Sequence, residues 1–552
     1  MSWLRSDELR VGLGCMRLPS DDEAATATIA AAVDSGITVF DTARAYGNER
    51  LVARAVRGVH GARIVTKGGM ARTGRAWIPA GRARTIGADC EASLAALDGV
   101  PIDLYLLHAP DQRVAWKTTL RALAALVDDG LVLRVGVCNV NRTQLDVAVE
   151  HAPVSAVEVA LSRFDDTAIR GGVVERCSEH GLALIAHSPL GGPRRVARVA
   201  KDESLREVAR ARDASEAEVA LAWVLDLAPN VVAIPGARRP ETARSAARAA
   251  VLELSEPDRE RLRVRPATRR RPRRQGDVVL VMGIQGAGKS RVARTYVERG
   301  YLRLNRDERG GTLRGIVAAL DEALESGARE VVLDNTYLAR AWRNDVIEIA
   351  ARHGLPIRCV WLDTTLAQAQ VNLVERLLDR FDGLPSPEEL KAASRKEAGM
   401  LTPTQQMRAM RELEPPGDDE GFASVQHVPF SREPRDGGKP GVFVAASAVE
   451  RLRLDTIDED APHLVFDWRP DGITADLDPL AALIPAEIVE PAVCTHGGGP
   501  PICWCRPPLP GLPLAFARRH RVDPARSLLV GTSTAHSTLA TVLGSTYVDV
   551  SG

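Results

Sequence analysis

The run Gly283-Ile-Gln-Gly-Ala-Gly-Lys-Ser290 follows directly on the apolar stretch Val278-Val-Leu-Val-Met282. A strand, a G-x-x-x-x-G-K-S loop and a helix in that order form a nucleoside-triphosphate site, because glycines let backbone N–H groups converge on phosphate oxygens at a helix N-terminus. Gly283, Gly286 and Gly288 supply the turn, Lys289 reaches the terminal phosphates, and Ser290 offers its hydroxyl to Mg2+. Phosphoryl transfer also requires a base for the attacking hydroxyl and cations over the developing charge. The next strand-like piece, Tyr301-Leu-Arg-Leu-Asn-Arg-Asp-Glu308, places Asp307 where it could accept that proton, although a helix-capping Asp fits the spacing nearly as well. Asp334, followed by Asn335 and Thr336, closes the buried run Val331-Val-Leu at a position suited to holding the metal or its water. A helix expected over Leu366–Arg380 carries Asn372, Arg376 and Arg380, whose arginines could fold over the transferring phosphoryl group.

Two further constellations lie outside this segment. Asp41 ends one strand-like run and Tyr46 follows five residues later; Thr66-Lys67 ends a second run and Leu107-His108 a third. Four polar groups at successive strand ends make a site that structural roles alone would seldom produce. Near the C-terminus, Cys494-Thr-His496, six residues, then Cys503-Trp-Cys505 offer four ligands for a tetrahedral, structural Zn2+ in a Gly/Pro-rich loop. The competing reading is free core thiols beside a surface histidine.

These groups need elements to hold them. At the usual ~100–200 residues per domain, 552 residues imply about three folding units. From residue 10 to about 250, strand candidates Val11–Met16, Ile37–Phe40, Arg63–Thr66, Asp103–Leu107, Arg134–Val137, Ala156–Leu161, Leu182–Ala186 and Val231–Ile234 alternate with helical patterns such as Thr118–Val127 and Ser215–Leu227. Eight such units have the dimension of a (β/α)8 barrel, whose active sites lie at strand C-terminal ends. The expected fold class is α/β throughout: a barrel over 1–263, an Arg/Pro-rich linker over 264–277 with the run Arg269–Arg274, a P-loop unit over 278–430, a break at 431–441, and a small α/β unit over 441–552. The basic linker reads as a solvated tether or as a strip attracting phosphates. With 72 Lys+Arg against 72 Asp+Glu the chain has no net charge, so any nucleic-acid contact must be local. Hydrophobic content of 45%, no apolar run of about 18 residues, and an N-terminus without secretory features lead to the expectation of a cytoplasmic, non-membrane protein.

The barrel segment resembles the aldo-keto reductases over nearly all of residues 10–255. The resemblance implies that Tyr46 protonates a carbonyl oxygen while a nicotinamide delivers hydride, that Lys67 lowers the tyrosine pKa, that Asp41 pairs with Lys67, and that His108 orients substrate. It implies cofactor contacts from Cys138 and Asn139 at the carboxamide, from Glu158 where the family usually has Gln, from Ser188, Pro189 and Leu190 at the pyrophosphate, and from Gly236 in the adenosine-phosphate motif. Arg238 and Arg239 could grip a 2′-phosphate, which favours NADPH, although the acidic and Asn residues that close that motif in the family are replaced here by Arg244-Ser-Ala246.

The middle segment resembles polynucleotide 5′-hydroxyl kinases, in the order G-x-x-x-x-G-K-S, N-R-D, D-N-T and an arginine-bearing lid helix. That likeness makes ATP with Mg2+ the donor, Asp307 the general base, Arg309 a contact to substrate phosphate, Asp334 and Asn335 organisers of acceptor or metal, and Arg376 the lid arginine. The last segment resembles the zinc-loop branch of haloacid-dehalogenase-type phosphatases, notably heptose-bisphosphate phosphatases. It lacks their acidic residues: Pro507 replaces a lysine, Gly531-Thr-Ser-Thr-Ala-His536 replaces Gly-Asp-x-x-x-Asp, and Val442-Phe-Val-Ala-Ala-Ser447 carries no nucleophilic aspartate. An inactive, zinc-stabilised and truncated domain is expected. Together these readings describe a nucleic-acid end-repair enzyme with DNA or RNA ends as partner and an aldehyde, on a damaged sugar or otherwise, as the second substrate. A small-molecule reductase-kinase is the alternative.

Overall fold

The computed structural model describes residues 3–551 apart from 6, 74–75, 112, 264–274, 398, 430–437, 453–457 and 471. Two compact units divide the chain, Met1–Ala267 and Thr268–Gly552. The arginine run 269–274 and most of the expected break at 431–441 lie outside the described residues.

In the first unit eight parallel strands follow one another around a barrel: β1 (Gly12–Gly14), β2 (Val39–Asp41), β3 (Arg63–Gly68), β4 (Ile102–Leu107), β5 (Val135–Cys138), β6 (Val154–Ala160), β7 (Ala183–His187) and β8 (Val231–Ile234). A bridge from Val11 to Ala233 joins the last strand to the first. The period-2 alternation of strand side chains sorts the apolar residues into two cores. Val39, Val65, Leu104, Leu106, Ile185 and Val232 fill the barrel interior, while Val11, Phe40, Ile64, Tyr105 and Leu184 face the surrounding helices. All eight strands fall where the apolar runs place them, with ends shifted by at most two residues. The first strand stops two residues early, at Gly14, because Cys15–Arg17 turn into a 3-10 helix. An antiparallel hairpin, Met70–Thr73 with Ala76–Pro79, follows β3; its strands, four residues each, are too short to carry a periodic signal.

The second unit holds two five-stranded sheets, each wholly parallel. One has the order β10-β11-β9-β12-β13, from β9 (Asp277–Met282), β10 (Leu302–Leu304), β11 (Glu330–Asp334), β12 (Ile357–Asp363) and β13 (Ser424–Pro429). The other has the order β16-β15-β14-β17-β18, from β14 (Val442–Ala445), β15 (His463–Trp468), β16 (Val489–Cys494), β17 (Leu528–Gly531) and β18 (Thr546–Asp549). The sheets do not have wholly separate cores. The helix Leu366–Phe381, started by a Thr365/Gln368 capping box, sinks Val371, Val374, Leu377 and Leu378 into the same buried cluster as Phe443, Phe466 and Phe516.

One buried ion pair ties the loops of the first sheet. Arg343 is fully buried; its guanidinium donates to both carboxylate oxygens of Glu420 (2.7 and 2.6 Å) and to the carbonyls of Tyr337 (3.1 Å) and Glu414 (2.9 Å). Removing one partner of such a pair strands the other charge without water, at a cost of about 3–5 kcal/mol. Arg343→Ala is therefore expected to lower the unfolding free energy of the second unit by that amount in urea titration, whereas Arg340→Ala, whose partner Asp419 is exposed, should cost under ~1 kcal/mol.

Candidate functional site

In the barrel, Asp41 closes β2 and Lys67 lies one residue from the end of β3. Both are buried, and the Lys67 ammonium donates to the Asp41 carboxylate and to the Thr42 carbonyl (3.1 Å). A second carboxylate, Glu158 of β6, stands with Oε2 3.1 Å from the same nitrogen. Tyr46 comes from a 3-10 turn, Arg44–Tyr46, that ends on Gly47 in the left-handed region (φ 73°). That turn is pinned because Thr42 donates to Asn48 (2.6 Å) and Asn48 donates to the Cys15 carbonyl (2.8 Å). The Lys67 nitrogen lies 5.7 Å from the Tyr46 ring centre. His108 follows β4 and meets the Tyr46 ring edge-on at 5.7 Å.

Asp41, Tyr46, His108, Asn139, Glu158, Ser188, Pro189, Leu190 and Gly236 all line one cavity of about 360 Å3 at the C-terminal ends of the strands. Four expected residues do not. Lys67 is buried and meets the cavity only through the lining carboxylates Asp41 and Glu158 with which it pairs. Cys138 is turned into the barrel interior beneath the cavity, so its thiol is not where a Ser hydroxyl would hold a carboxamide. Arg238 and Arg239 stand exposed where the helix Pro240–Ala250 begins, beyond the cavity wall. Other residues were missed by sequence reasoning. His187, the residue before Ser188, places Nε2 3.1 Å from Asn139 Oδ1 and Nδ1 3.3 Å from Ser188 Oγ. Trp77 of the hairpin packs edge-on to Tyr46 at 6.1 Å and closes one side. Adjacency to the Ser188-Pro-Leu motif could have flagged His187; nothing local flags Trp77.

The electrostatics differ from the simple expectation that a lysine lowers the tyrosine pKa. Burial pushes the Tyr46 hydroxyl above its ordinary value, and the Lys67 charge opposes this without reversing it. Asp41 is pushed up to about 8, first by burial and next by the Glu158 charge, against the pull of Lys67. Burial and the Lys67 charge lower His108 to about 3, so its imidazole is neutral at working pH. Asn139 and Glu158 fit a nicotinamide carboxamide, which has both a donor and an acceptor: Glu158 Oε2 is buried and, apart from the Lys67 ammonium 3.1 Å away, has no donor.

In the second unit the loop after β9 takes the shape that its glycines permit. Gly283, Gly286 and Gly288 have φ of 148°, 89° and 93°, and a Cβ on Gly286 would lie 2.3 Å from the Ala369 carbonyl oxygen. Lys289 opens the following helix and donates to the Ile284 carbonyl (2.9 Å). Gly286, Gly288, Lys289, Ser290, Asp307, Asp334, Asn335 and Arg376 line a polar cavity of about 260 Å3. Asp307 is exposed in the first turn of a short helix, Arg306–Arg309, whose cap is Asn305; its side-chain oxygen accepts from the Asp307 and Glu308 N–H groups, so Asp307 is not the cap. Asp334 takes the Arg303 guanidinium on Oδ2 (2.5 Å), leaving Oδ1 buried and without a donor, as suits a ligand to Mg2+ or its water. Asn335 accepts from the Arg306 N–H (2.9 Å).

Two expected arginines are elsewhere. Arg309 is exposed and does not line the cavity, and Arg380 forms a two-bonded pair with Glu397 (2.9 Å each). Arg306, inside the N-R-D motif, lines the cavity instead. Asn372 donates to the Gly286 carbonyl (2.8 Å), which makes it a clamp on the loop.

The four-donor set also assembles. Cys494, His496, Cys503 and Cys505 present their ligand atoms within 4.8 Å of one another, with individual separations of 3.2 to 3.7 Å. Tetrahedral Zn2+ with bonds of about 2.0–2.3 Å requires donors roughly 3.3–3.8 Å apart, close to the separations found, so the set fits that ion. Trp468 supports it by donating to the His496 carbonyl (2.7 Å), and Arg506 stacks on Trp468 at 4.3 Å.

A parallel barrel that gathers a tyrosine, a buried lysine, carboxylates and a neutral histidine at its C-terminal mouth defines a carbonyl-reducing type of enzyme. A model of the aldo/keto reductase family matches residues 10–263, and a model of an AAA domain matches residues 278–398. An uncharacterized oxidoreductase of Schizosaccharomyces pombe is 30% identical over 259 residues, spanning 45% of this chain and 83% of that protein. Among solved structures, a thermostable aldo-keto reductase in complex with epalrestat is 31% identical and covers 47% of this chain and 96% of its own, with a TM-score of 0.41. An aldo-keto reductase from Klebsiella pneumoniae in complex with NADPH is 26% identical, covers 46% and 89%, and also has a TM-score of 0.41. The chain belongs to the aldo/keto reductase family, with its second unit carrying a kinase-like P-loop domain.

Titration with Co2+ is expected to develop the strong near-ultraviolet band of thiolate-to-cobalt charge transfer at one equivalent. The band should be lost in Cys503→Ser and bleached by added Zn2+.

Proposed function

We propose that this chain joins an NADPH-dependent aldehyde reductase to an ATP-dependent hydroxyl kinase, and that the kinase acts on 5′-hydroxyl ends of nucleic acid. The carrying observation is that two cavities, one in each unit, each collect groups that its reaction needs, with Lys67 linked to the first through Asp41 and Glu158. Bound nicotinamide would supply the hydride. Tyr46 then gives its phenolic proton to the carbonyl oxygen, Lys67 steadies the negative charge left behind, and neutral His108 donates to and orients that oxygen. Glu158 and Asn139 are the candidate carboxamide contacts, and Ser188 and Leu190 line the way along the pyrophosphate. The complex of the Klebsiella pneumoniae structure with NADPH supports the choice of cofactor.

In the second unit Lys289 and the loop N–H groups hold the terminal phosphates. Ser290 and Asp334 would hold Mg2+, which neutralises phosphate charge when bound. Asp307 takes the proton of the acceptor hydroxyl, and Arg306 and Arg376 cover the charge that develops on the transferring group. The 5′-end reading rests on the order of the four motifs. A small-alcohol acceptor is the second reading, favoured by the absence of any aromatic side chain among the residues lining this cavity on which a base could stack. For residues 441–552 the proposal is an inactive relative of the haloacid-dehalogenase-type phosphatases, stabilised by zinc. Its support is that Ser447 and Thr532, whose hydroxyls lie 2.6 Å apart, occupy the strand ends where that chemistry needs carboxylates.

Transfer of label from γ-labelled ATP to 5′-hydroxyl DNA and RNA oligonucleotides is the deciding assay, with loss in Lys289→Ala and Asp307→Ala expected. Labelling of neither polymer, with labelling of small alcohols, transfers the assignment to the second reading. In the barrel, Tyr46→Phe should reduce NADPH-dependent aldehyde turnover at least ~100-fold while NADPH binding persists; unchanged turnover would remove the tyrosine from the mechanism.

Desolvation lowers the Lys289 ammonium to about 8, the neighbouring Asp334 charge acting against it. Only the protonated form attracts phosphate, so MgATP affinity is expected to hold below pH 8 and to fall as pH rises through it. Calorimetric titration between pH 7 and 9 checks this, and Lys289→Arg should flatten the dependence.

A further inference from the structure

The wall of the phosphate cavity continues past the lid helix into the segment 399–406, where Gly399 and Leu401 are lining residues. Three hydrogen bonds fix that segment, two of them to the four-donor loop and one to the phosphate loop. Trp504, between Cys503 and Cys505, is buried to 2% exposure and donates through Nε1 to the Leu401 carbonyl (2.9 Å). Thr404 donates to the carbonyl of Pro501 (2.9 Å), two residues before Cys503. Gln406, fully buried on the helix Pro403–Glu412, donates to the carbonyl of Gln285 (3.0 Å), inside the glycine turn. The same loop is anchored at its other end, where Gly511 opens the helix Gly511–His520 so close to Trp504 that a Cβ would lie 2.4 Å from the Trp504 carbonyl oxygen.

We propose that the Cys494/His496/Cys503/Cys505 loop acts as a brace for the nucleotide site, with Trp504 as positioning residue: it holds the 399–406 segment, and through Gln406 the Gln285 carbonyl, in the geometry that seats the terminal phosphates. The proposal rests on the P-loop reading above and adds a control over it. Its physical basis is the lack of slack along the path. Trp504 and Leu509 pack in the hydrophobic core, but the stretch from Cys494 to Cys505 is closed on itself by its ligand set, and metal binding supplies order to such a loop. Freed from that set, Cys503 and Cys505 no longer fix the backbone on either side of the indole, and its hydrogen bond to the Leu401 carbonyl loosens. Segment 399–406 then loses two of its three tethers, and the carbonyl of Gln285 its side-chain partner. Ordering that must instead be achieved on nucleotide binding subtracts from affinity. Coupling of this kind is typically about 5- to 150-fold in affinity.

The test uses the full chain loaded with Zn2+, or with Co2+ so that the ligand set can be followed by its absorption. MgATP affinity is measured with a fluorescent ATP analogue, and hydrogen exchange is followed in residues 366–381 and 399–412. Chelation of the metal is expected to weaken nucleotide binding at least ~5-fold and to speed exchange in 399–412. Trp504→Phe and the surface change Thr404→Val should weaken nucleotide binding in the same direction while the cobalt band stays intact, which separates loss of the brace from unfolding of the loop. Unchanged affinity and unchanged exchange in both variants and in the chelated protein would overturn the brace. If the unmodified protein binds no MgATP, the P-loop reading falls, and exchange in 399–412 still decides whether the loop controls that segment.

Discussion

A strand covered on both faces has no solvent-facing side, so in a parallel sheet the reactive side chains are confined to strand ends and the loops beyond them. Each of the three main sheets here is parallel, and each places its polar residues at the C-terminal ends of its strands. Asp41, Lys67, His108, Asn139 and His187 lie at or just past the ends of β2, β3, β4, β5 and β7. The glycine loop, Asn305 and Asp334 do the same for β9, β10 and β11, and Ser447, Cys494 and Thr532 for β14, β16 and β17. The two cavities and the four-donor loop are thus separate consequences of one architectural constraint.

Within the barrel the decisive quantity is charge without water. A lysine as buried as Lys67 cannot remain an ammonium in apolar surroundings unless opposite charge is close by. Asp41 provides it through a hydrogen bond and Glu158 through an ionic contact at 3.1 Å. Burial first, and next the Glu158 charge, push Asp41 up, and the two carboxylates partly offset the Lys67 field that reaches Tyr46. The tyrosine therefore stays protonated over the whole physiological range, the form in which a proton donor to a carbonyl is ready to act.

The second unit shows how packing can join sites that differ in chemistry. The helix that carries Asn372 and Arg376 toward the phosphate cavity buries its opposite side in a core built mainly by the last hundred residues of the chain. Neither face of that helix is free to move independently of the other. The last hundred residues therefore have a structural role whatever chemistry they carry, because they supply part of the hydrophobic surface on which this helix rests.

Local sequence determined much of this protein. Short β-branched, apolar runs located all eight barrel strands, the glycine spacing located the phosphate loop, and the x-separated cysteine and histidine pairs located the four-donor cluster. These are short-range signals, written in residues that are neighbours along the chain or repeat at the pitch of a strand or helix. Tertiary structure alone decided the rest. It turned Cys138 away from the cavity, put Arg306 in it and left Arg309 outside, brought Trp77 over Tyr46, and paired Lys67 with a carboxylate 91 positions further on. Such pairings depend on the angles at which whole elements pack, and no interval along the sequence encodes an angle between elements that meet only after the chain has closed.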